Sequence, residues 1–235
     1  MPSMMVLNEH NHLPGLTEEA QKKLDVGKVV VLGATASGLA ASKSLIQLGL
    51  GNLLVVDEEA ECLSAAAEEL HDLTEEFPEA NVLIRKEKLQ ANTLERLVQN
   101  SSVVIDALSD WQDKLLASDV CMSVGRPLIH SGVIGFRMQI YSMLPKKSAC
   151  LRCALPLAGI DDVPHKPTSP IGVSAVAQMV GSWQSIEALK IIAQIGATQG
   201  NEFFKFDSLS GEFEIIRGLD PPRDCPDCGS VRRHK

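Results

Sequence analysis

Aromatic residues make up only 4% of the 235-residue chain, with a single tyrosine and two tryptophans. That scarcity argues against aromatic cages and base-stacking platforms. Positive charge is also short: 22 Lys and Arg stand against 30 Asp and Glu, for a net charge of −8. Nucleic acid and anionic membrane are therefore poor partners. No apolar run approaches the roughly 20 residues of a membrane span, and no basic–apolar–small leader pattern opens the chain, so a cytoplasmic location is expected. There is no internal repeat and no low-complexity segment. The first 27 residues contain no arginine. What is present is an apolar content of 45%, ordinary for a folded protein, in a chain long enough for one domain with a short appendage.

The most informative stretch runs from Lys28 to Ala41. Val29, Val30, Val31 and Leu32 favour a strand, Gly33 to Gly38 form a turn, and small residues then open a helix. This is the start of a nucleotide-binding βαβ unit, in which helix N-terminal amides face a phosphate. Asp57 ends the next apolar run, where such folds place an acid against a ribose. Thr35 occupies the middle glycine position of Gly-x-Gly-x-x-Gly, so the fingerprint alone does not separate ATP from NAD.

A short helix over 17–24, with Thr17 as N-cap, precedes this unit. Helices are expected over 37–48, 59–76, 92–99 and 111–124, between strands at 52–57, 81–85, 102–106 and 128–131. Regular alternation of this kind makes a mostly parallel, doubly wound sheet, with ligands outside the strands' carboxyl ends. Gly33–Gly38, Asp57 and Asp106 would meet there. After 132 the pattern changes to a strand at 137–144, a long proline-rich loop over 155–170, an apolar helix at 173–195 and a hairpin joining 203–207 to 212–217.

Cys150, Cys153, Cys225 and Cys228 form two C-x-x-C pairs. Two such pairs supply four thiolates to one tetrahedral ion, which selects structural zinc with no open position. A redox motif, two unrelated pairs or an iron–sulfur cluster would use the same residues. Both pairs are expected in loops beside prolines, whereas a redox C-x-x-C opens a helix after a strand. Cys62 and Cys121 fall within helices and read as core residues.

Several motifs share one order with a known family. They include Leu-Gly-Leu-Gly-Asn-Leu-Leu-Val-Val-Asp (48–57), Ile-Asp-Ala-Leu (105–108), Cys-Leu-Arg-Cys-Ala-Leu-Pro (150–156), Val-Gly-Ser-Trp-Gln-Ser-Ile-Glu-Ala-Leu-Lys (180–190) and Cys-Pro-Asp-Cys-Gly (225–229). The chain thus resembles the ThiF/MoeB/HesA family, bacterial relatives of ubiquitin-activating enzymes, over roughly residues 14–229. The resemblance implies a Rossmann-like α/β fold: a doubly wound, mostly parallel sheet with a C-terminal antiparallel hairpin and a four-cysteine zinc site. It implies an arm at 1–26 and one nucleotide-binding domain at 27–235, with a Rossmann-like half (27–131) and a zinc-binding, carrier-docking half (132–235).

It also implies a homodimer that uses ATP and Mg²⁺ to adenylate the C-terminal carboxylate of a ubiquitin-like sulfur carrier ending in Gly-Gly. The carrier tail would pass under the loop at about 154–171. Gly33, Thr35, Ser37, Gly38, Asp57 and Lys43 are the expected nucleotide contacts, and Asp106 or Asp110 the expected holder of magnesium.

The departures from the family pattern cluster in the nucleotide chemistry. The family loop Gly-x-Gly-Gly-x-Gly reads Gly33-Ala34-Thr35-Ala36-Ser37-Gly38 here, with Thr35 and Ser37 as substitute hydroxyl donors. An acidic helix replaces the family's Asn-x-x-Arg-Gln stretch and later lysine, the N-terminal-arm arginine is missing, and the magnesium aspartate falls on Ser109. The 154–171 loop also lacks the cysteine that some members use. Each lost charge-assisted phosphate contact is worth about 1.5–3 kcal/mol, so three or four unreplaced losses would remove about 5–10 kcal/mol. Lys43, Arg85, Lys86 and Lys114 are the cations available as replacements, although Lys43 and Lys114 read first as solvated helix-surface charges. Three functions remain open: the adenylyltransferase, a non-catalytic paralogue that docks a carrier or regulates a relative, and an NAD-binding oxidoreductase.

Overall fold

A computed structural model of the chain describes residues 16–160, 173–198 and 200–229. Thr17 caps the first helix, α1 (Glu18–Asp25), by accepting the Ala20 amide at 3.2 Å. There follow β1 (Lys28–Leu32), α2 (Ala36–Gln47), β2 (Asn52–Asp57), α3 (Ala60–Glu76), β3 (Asn81–Lys86), α4 (Ala91–Val98) and β4 (Val103–Asp106). The chain continues through α5 (Trp111–Val124), β5 (Leu128–Ile134), β6 (Arg137–Met143), α6 (Leu151–Leu157), α7 (Ser174–Ala193), β7 (Glu202–Asp207) and β8 (Glu212–Arg217).

All eight strands join one sheet in the order β3-β2-β1-β4-β5-β6-β7-β8. The pairs from β3 to β5 are parallel, and those from β5 to β8 antiparallel. Alternation along the strands builds two apolar layers. Val29, Val31, Val103 and Ile105 face α2, α3 and α7, while Val30, Leu32, Val104 and Leu128 face α4, α5 and α6. The expected mostly parallel sheet with a terminal antiparallel hairpin is what the chain forms. Among the described residues, no helix is long and apolar enough to cross a membrane.

Two sequence expectations change. The proline-rich stretch expected to be loop from Leu155 begins as helix: α6 spans Leu151–Leu157 with Pro156 inside it, and Cys150 as its N-cap. Leu151, Ala154 and Leu155 bury one face of that helix in the second apolar layer. Burial thus outweighs proline's low propensity, and the first C-x-x-C opens a helix rather than lying in a loop. Residues 161–172 of the expected carrier-tail loop lie outside the described residues.

Helix α2 brings its N-terminus to the carboxyl end of β1 only because it packs very closely. A Cβ on Gly38 would lie 2.0 Å from the Gly33 carbonyl oxygen, and one on Gly181 of α7 would lie 2.1 Å from the Ser37 carbonyl oxygen. Both contacts are backbone and leave no room for a side chain. Gly181→Val is therefore expected to destabilise the fold by at least the roughly 1–3 kcal/mol of an overpacked core, measured by urea unfolding. An unchanged midpoint would show that α2 and α7 do not meet this closely.

Candidate functional site

The carboxyl ends of the parallel strands β1, β2 and β4 lie side by side where the strand order reverses, the place at which open α/β sheets have the crevice that binds their ligands. Gly33 leaves β1 at φ +100° with its Cα against the Ala107 carbonyl, which a Cβ would meet at 2.5 Å. The crossing of these two backbones is why a glycine stands there. Thr35 caps α2, accepting the Gly38 amide at 3.4 Å and donating to the Ala107 carbonyl at 2.9 Å. Ser37 Oγ lies 3.0 Å from Thr35 Oγ1. Since the Thr35 proton goes to Ala107, Ser37 is the donor in that pair. Both hydroxyl protons are thus spent inside the protein, contrary to the expectation that they would be offered to a phosphate. Of the first-turn amides of α2, that of Gly38 is met by Thr35; a helix gives the others no internal acceptor.

Asp57 accepts the Ala34 amide at 2.6 Å and the Glu59 amide at 2.9 Å, so it fixes the loop and the start of α3. Each of its oxygens keeps a second lone pair. Lys43 does not reach the crevice: it pairs with Glu69 of α3 on the part-exposed flank of α2. Asp110 caps α5, its Oδ1 accepting Gln112 N at 2.7 Å and Asp113 N at 3.4 Å. Burial pushes the Asp113 carboxyl above its ordinary range, and the negative charges of Asp110 and Glu58 add to the push. Lys88, exposed just past β3, acts on Asp113 in the opposite sense and is a cation the sequence did not single out. Arg85 and Lys86 are exposed at the end of β3, where Lys86 pairs in register with Asp57.

Lys114 is not a solvated surface charge. Its side chain is 5% exposed, and Nζ donates to Asp106 Oδ1 at 3.0 Å and to the Ser131 carbonyl at 2.7 Å. Asp106 is fully buried, and its other oxygen lies 2.7 Å from Nδ1 of the equally buried His130. Its Oδ1 also accepts the Leu108 amide at 3.1 Å. With both oxygens engaged and no exposure to solvent, Asp106 positions its neighbours here, whereas the sequence had suggested an open acid for magnesium. Burial alone would raise the Asp106 carboxyl, but the Lys114 charge and the His130 bond hold it below the ordinary carboxylate range. Burial lowers His130 below its usual value despite its bond to Asp106, so the ring is neutral. His130 escaped sequence reasoning. Its signal was that β4 and β5 both end an apolar run on a polar residue, and the register pairs Asp106 with His130.

At the other end of the domain, Cys150 Sγ lies 3.8 Å from Cys225 Sγ, and Cys228 Sγ 3.9 Å from Cys153 Sγ. All four sulfurs fall within 4.8 Å of one another. A tetrahedron of Zn–S bonds near 2.3 Å has edges of about 3.8 Å, so the donor set fits zinc. Cys121 is fully buried as expected, while Cys62 packs against the core part-exposed. An apolar groove of about 600 Å³ lies between α7 and the terminal hairpin, lined by Met138, Met179, Trp183, Phe206 and Phe213 among others.

A Rossmann-like sheet with a helix N-terminus at its switch point, a C-terminal hairpin and a clustered cysteine quartet define a class of nucleotide-crevice α/β proteins with a metal-tied tail. Within that class, the ThiF family model matches residues 63–227, and the chain belongs to the ThiF family. It is 27% identical over 232 residues to the SAMP-activating enzyme E1 of Haloferax volcanii, covering 90% of this chain and 83% of that one. It is 26% identical over 248 residues to the sulfur carrier protein adenylyltransferase of Thermus thermophilus, covering 92% and 88%. Among solved structures, Escherichia coli MccB with ATP superposes with a TM-score of 0.74 at 16% identity, covering 90% of this chain and 69% of that one. That likeness shows the fold.

An unfolded chain protonates His130 as the pH falls through 6.5, while the folded chain holds it neutral. Stability therefore falls as the pH drops below that value, by up to about 1.4 kcal/mol per pH unit. The Asp106 contribution is lost only at lower pH, below the ordinary carboxylate value of 3.8. Urea unfolding at about pH 7 and about pH 5.5 is expected to show a loss that His130→Asn reduces; equal losses in both proteins would contradict a buried neutral imidazole.

Proposed function

We propose that the chain is an ATP-dependent adenylyltransferase that activates the C-terminal carboxylate of a ubiquitin-like sulfur carrier. The observation that carries the reading is the α2 N-terminus at the switch point beside Asp57, in a chain that aligns over about nine-tenths of its length with carrier-activating relatives. The donor set suits the ligand in part. First-turn amides of α2 would receive the phosphates, and the spare lone pairs of Asp57 would accept from ribose hydroxyls. Lys86, the last residue of β3, and Lys88, just past it, are the cations proposed to meet the phosphates. Asp110 and Asp113 are the acids that would hold magnesium; burial first, and then the neighbouring charges of Asp110 and Glu58, raise the Asp113 carboxyl, and a divalent cation there would offset both. MgATP supplies the electrophilic α-phosphorus and a pyrophosphate leaving group. The protein's share is to orient the carrier carboxylate and to exclude water. The groove between α7 and the hairpin offers the apolar face that a carrier domain needs, and a homodimer is part of the proposal.

A second reading is favoured by particular contacts. Lys43 and Lys114 are committed to Glu69 and Asp106, and the hydroxyl protons of Thr35 and Ser37 to the protein's own oxygens. A non-catalytic paralogue that docks a carrier would show this pattern. ATP–pyrophosphate exchange with a Gly-Gly-ended carrier decides between them. Carrier-dependent exchange that is lost in Asp110→Asn supports the enzyme; tight carrier binding without exchange supports the paralogue.

The four cysteines are proposed to hold one structural zinc that ties the tail to α6. Metal analysis is expected to find one zinc per chain, and Cys228→Ser to lose it with a large drop in melting temperature. Metal-free protein with the four thiols free and unchanged stability would contradict this.

A further inference from the structure

The buried cluster around Asp106 is more elaborate than a strand end needs. Two of its members, His130 on β5 and Lys114 on α5, come from elements other than β4. His130 Nδ1 faces Asp106 Oδ2 at 2.7 Å, and its Nε2 faces the Gln139 side-chain amide nitrogen at 3.2 Å. A carboxylate only accepts, so Nδ1 carries the proton, and Nε2 receives one from Gln139. The ring is walled by Trp111, with centroids 5.5 Å apart, and by Phe203 at 6.3 Å. These contacts leave the imidazole one orientation and one tautomer.

The consequence runs outward from Asp106. With Oδ2 held by His130, Oδ1 is aimed at Lys114 and at the Leu108 amide, which sets the backbone on either side of Ala107. The Asp106 carbonyl is held in turn by Ser131 Oγ at 3.0 Å and Gln184 Nε2 at 2.9 Å. Ala107 between them carries the carbonyl that receives the Thr35 hydroxyl and abuts Gly33. The orientation of the Gly33–Gly38 loop therefore depends on the peptide that the Asp106 side chain fixes.

We infer that His130 is a positioning residue for the Gly33–Gly38 loop, acting through Asp106 and the Ala107 carbonyl. It touches no ligand. Its donor at Nδ1 and the acceptor it offers Gln139 hold the Asp106 carboxylate in the rotamer that keeps Ala107 under Thr35. Its value to the protein rests on the proposed nucleotide site, yet the loop geometry can be read without any nucleotide.

The test uses the full zinc-loaded chain and hydrogen exchange without ligand. His130→Phe keeps an aromatic ring but removes both nitrogens. It is expected to speed exchange about tenfold or more in segments 33–39 and 106–110, as the loss of a hydrogen bond to a charged group does. Strands β2 and β3 should exchange as before. His130→Asn, whose side-chain N–H stands near the place of Nδ1–H, is expected to restore much of the protection. Acceleration spread evenly over the whole chain, or none in 33–39, would overturn the inference by reducing His130 to a packing residue. Should His130→Phe fail to fold, nitrogen-15 NMR of the wild-type imidazole decides: an Nδ1–H tautomer supports the inference, and an Nε2–H tautomer overturns it. Calorimetry with MgATP on the same proteins separates the two readings. If His130→Phe also weakens MgATP about tenfold, both stand. If wild type takes up no MgATP while the local exchange pattern holds, the nucleotide reading fails and the positioning role stands.

Discussion

A carboxylate buried as completely as that of Asp106 is tolerable only when charge and hydrogen bonds meet it on every side, and here they come from well-separated parts of the chain. Lys114 arrives from α5, His130 from β5, and the Leu108 amide from the turn between β4 and α5. The backbone carbonyl of the same residue is held by Ser131 and by Gln184 of α7. One residue at the end of one short strand thus ties the parallel half of the sheet to the half that carries the hairpin and the cysteines. Removing a single partner would leave an uncompensated buried charge, which is far more damaging than replacing the whole set by apolar groups.

That arrangement also bears on the crevice. The α2 N-terminus is held from below by Thr35 on Ala107, from the side by Asp57 on Ala34, and from behind by Gly181 against Ser37. Polar groups that a phosphate-binding loop would offer outward are here turned inward. The loop is consequently held by the protein's own contacts, with the Thr35 and Ser37 hydroxyl protons and the Ala34 amide all paired.

Much of the fold is legible in the residues. Gly33 marks the end of the first strand, Thr17 announces a cap, and the alternation of apolar runs fixes the parallel sheet as far as β5. The cysteine spacing anticipates the clustered quartet. What was not legible depended on partners distant in sequence. Lys114 looks like any helix lysine until the turn of α5 aims it beneath β4, and Lys43 looks available until Glu69 of α3 meets it. Asp106 reads as an open site acid because strand ends face ligands, but only the β4–β5 register shows that His130 stands beside it. The helical turn at 151–157 hides behind Pro156, since propensity is local and the burial of Leu151 and Leu155 is not.

The central claim is that the Asp106 cluster and the Gly33–Gly38 loop form one energetic unit. A double-mutant cycle of Thr35→Val and His130→Phe, followed by urea unfolding, measures this directly. The account predicts a coupling energy above about 0.5 kcal/mol, because both changes act on the peptide at Ala107. Additive effects within that margin would contradict it.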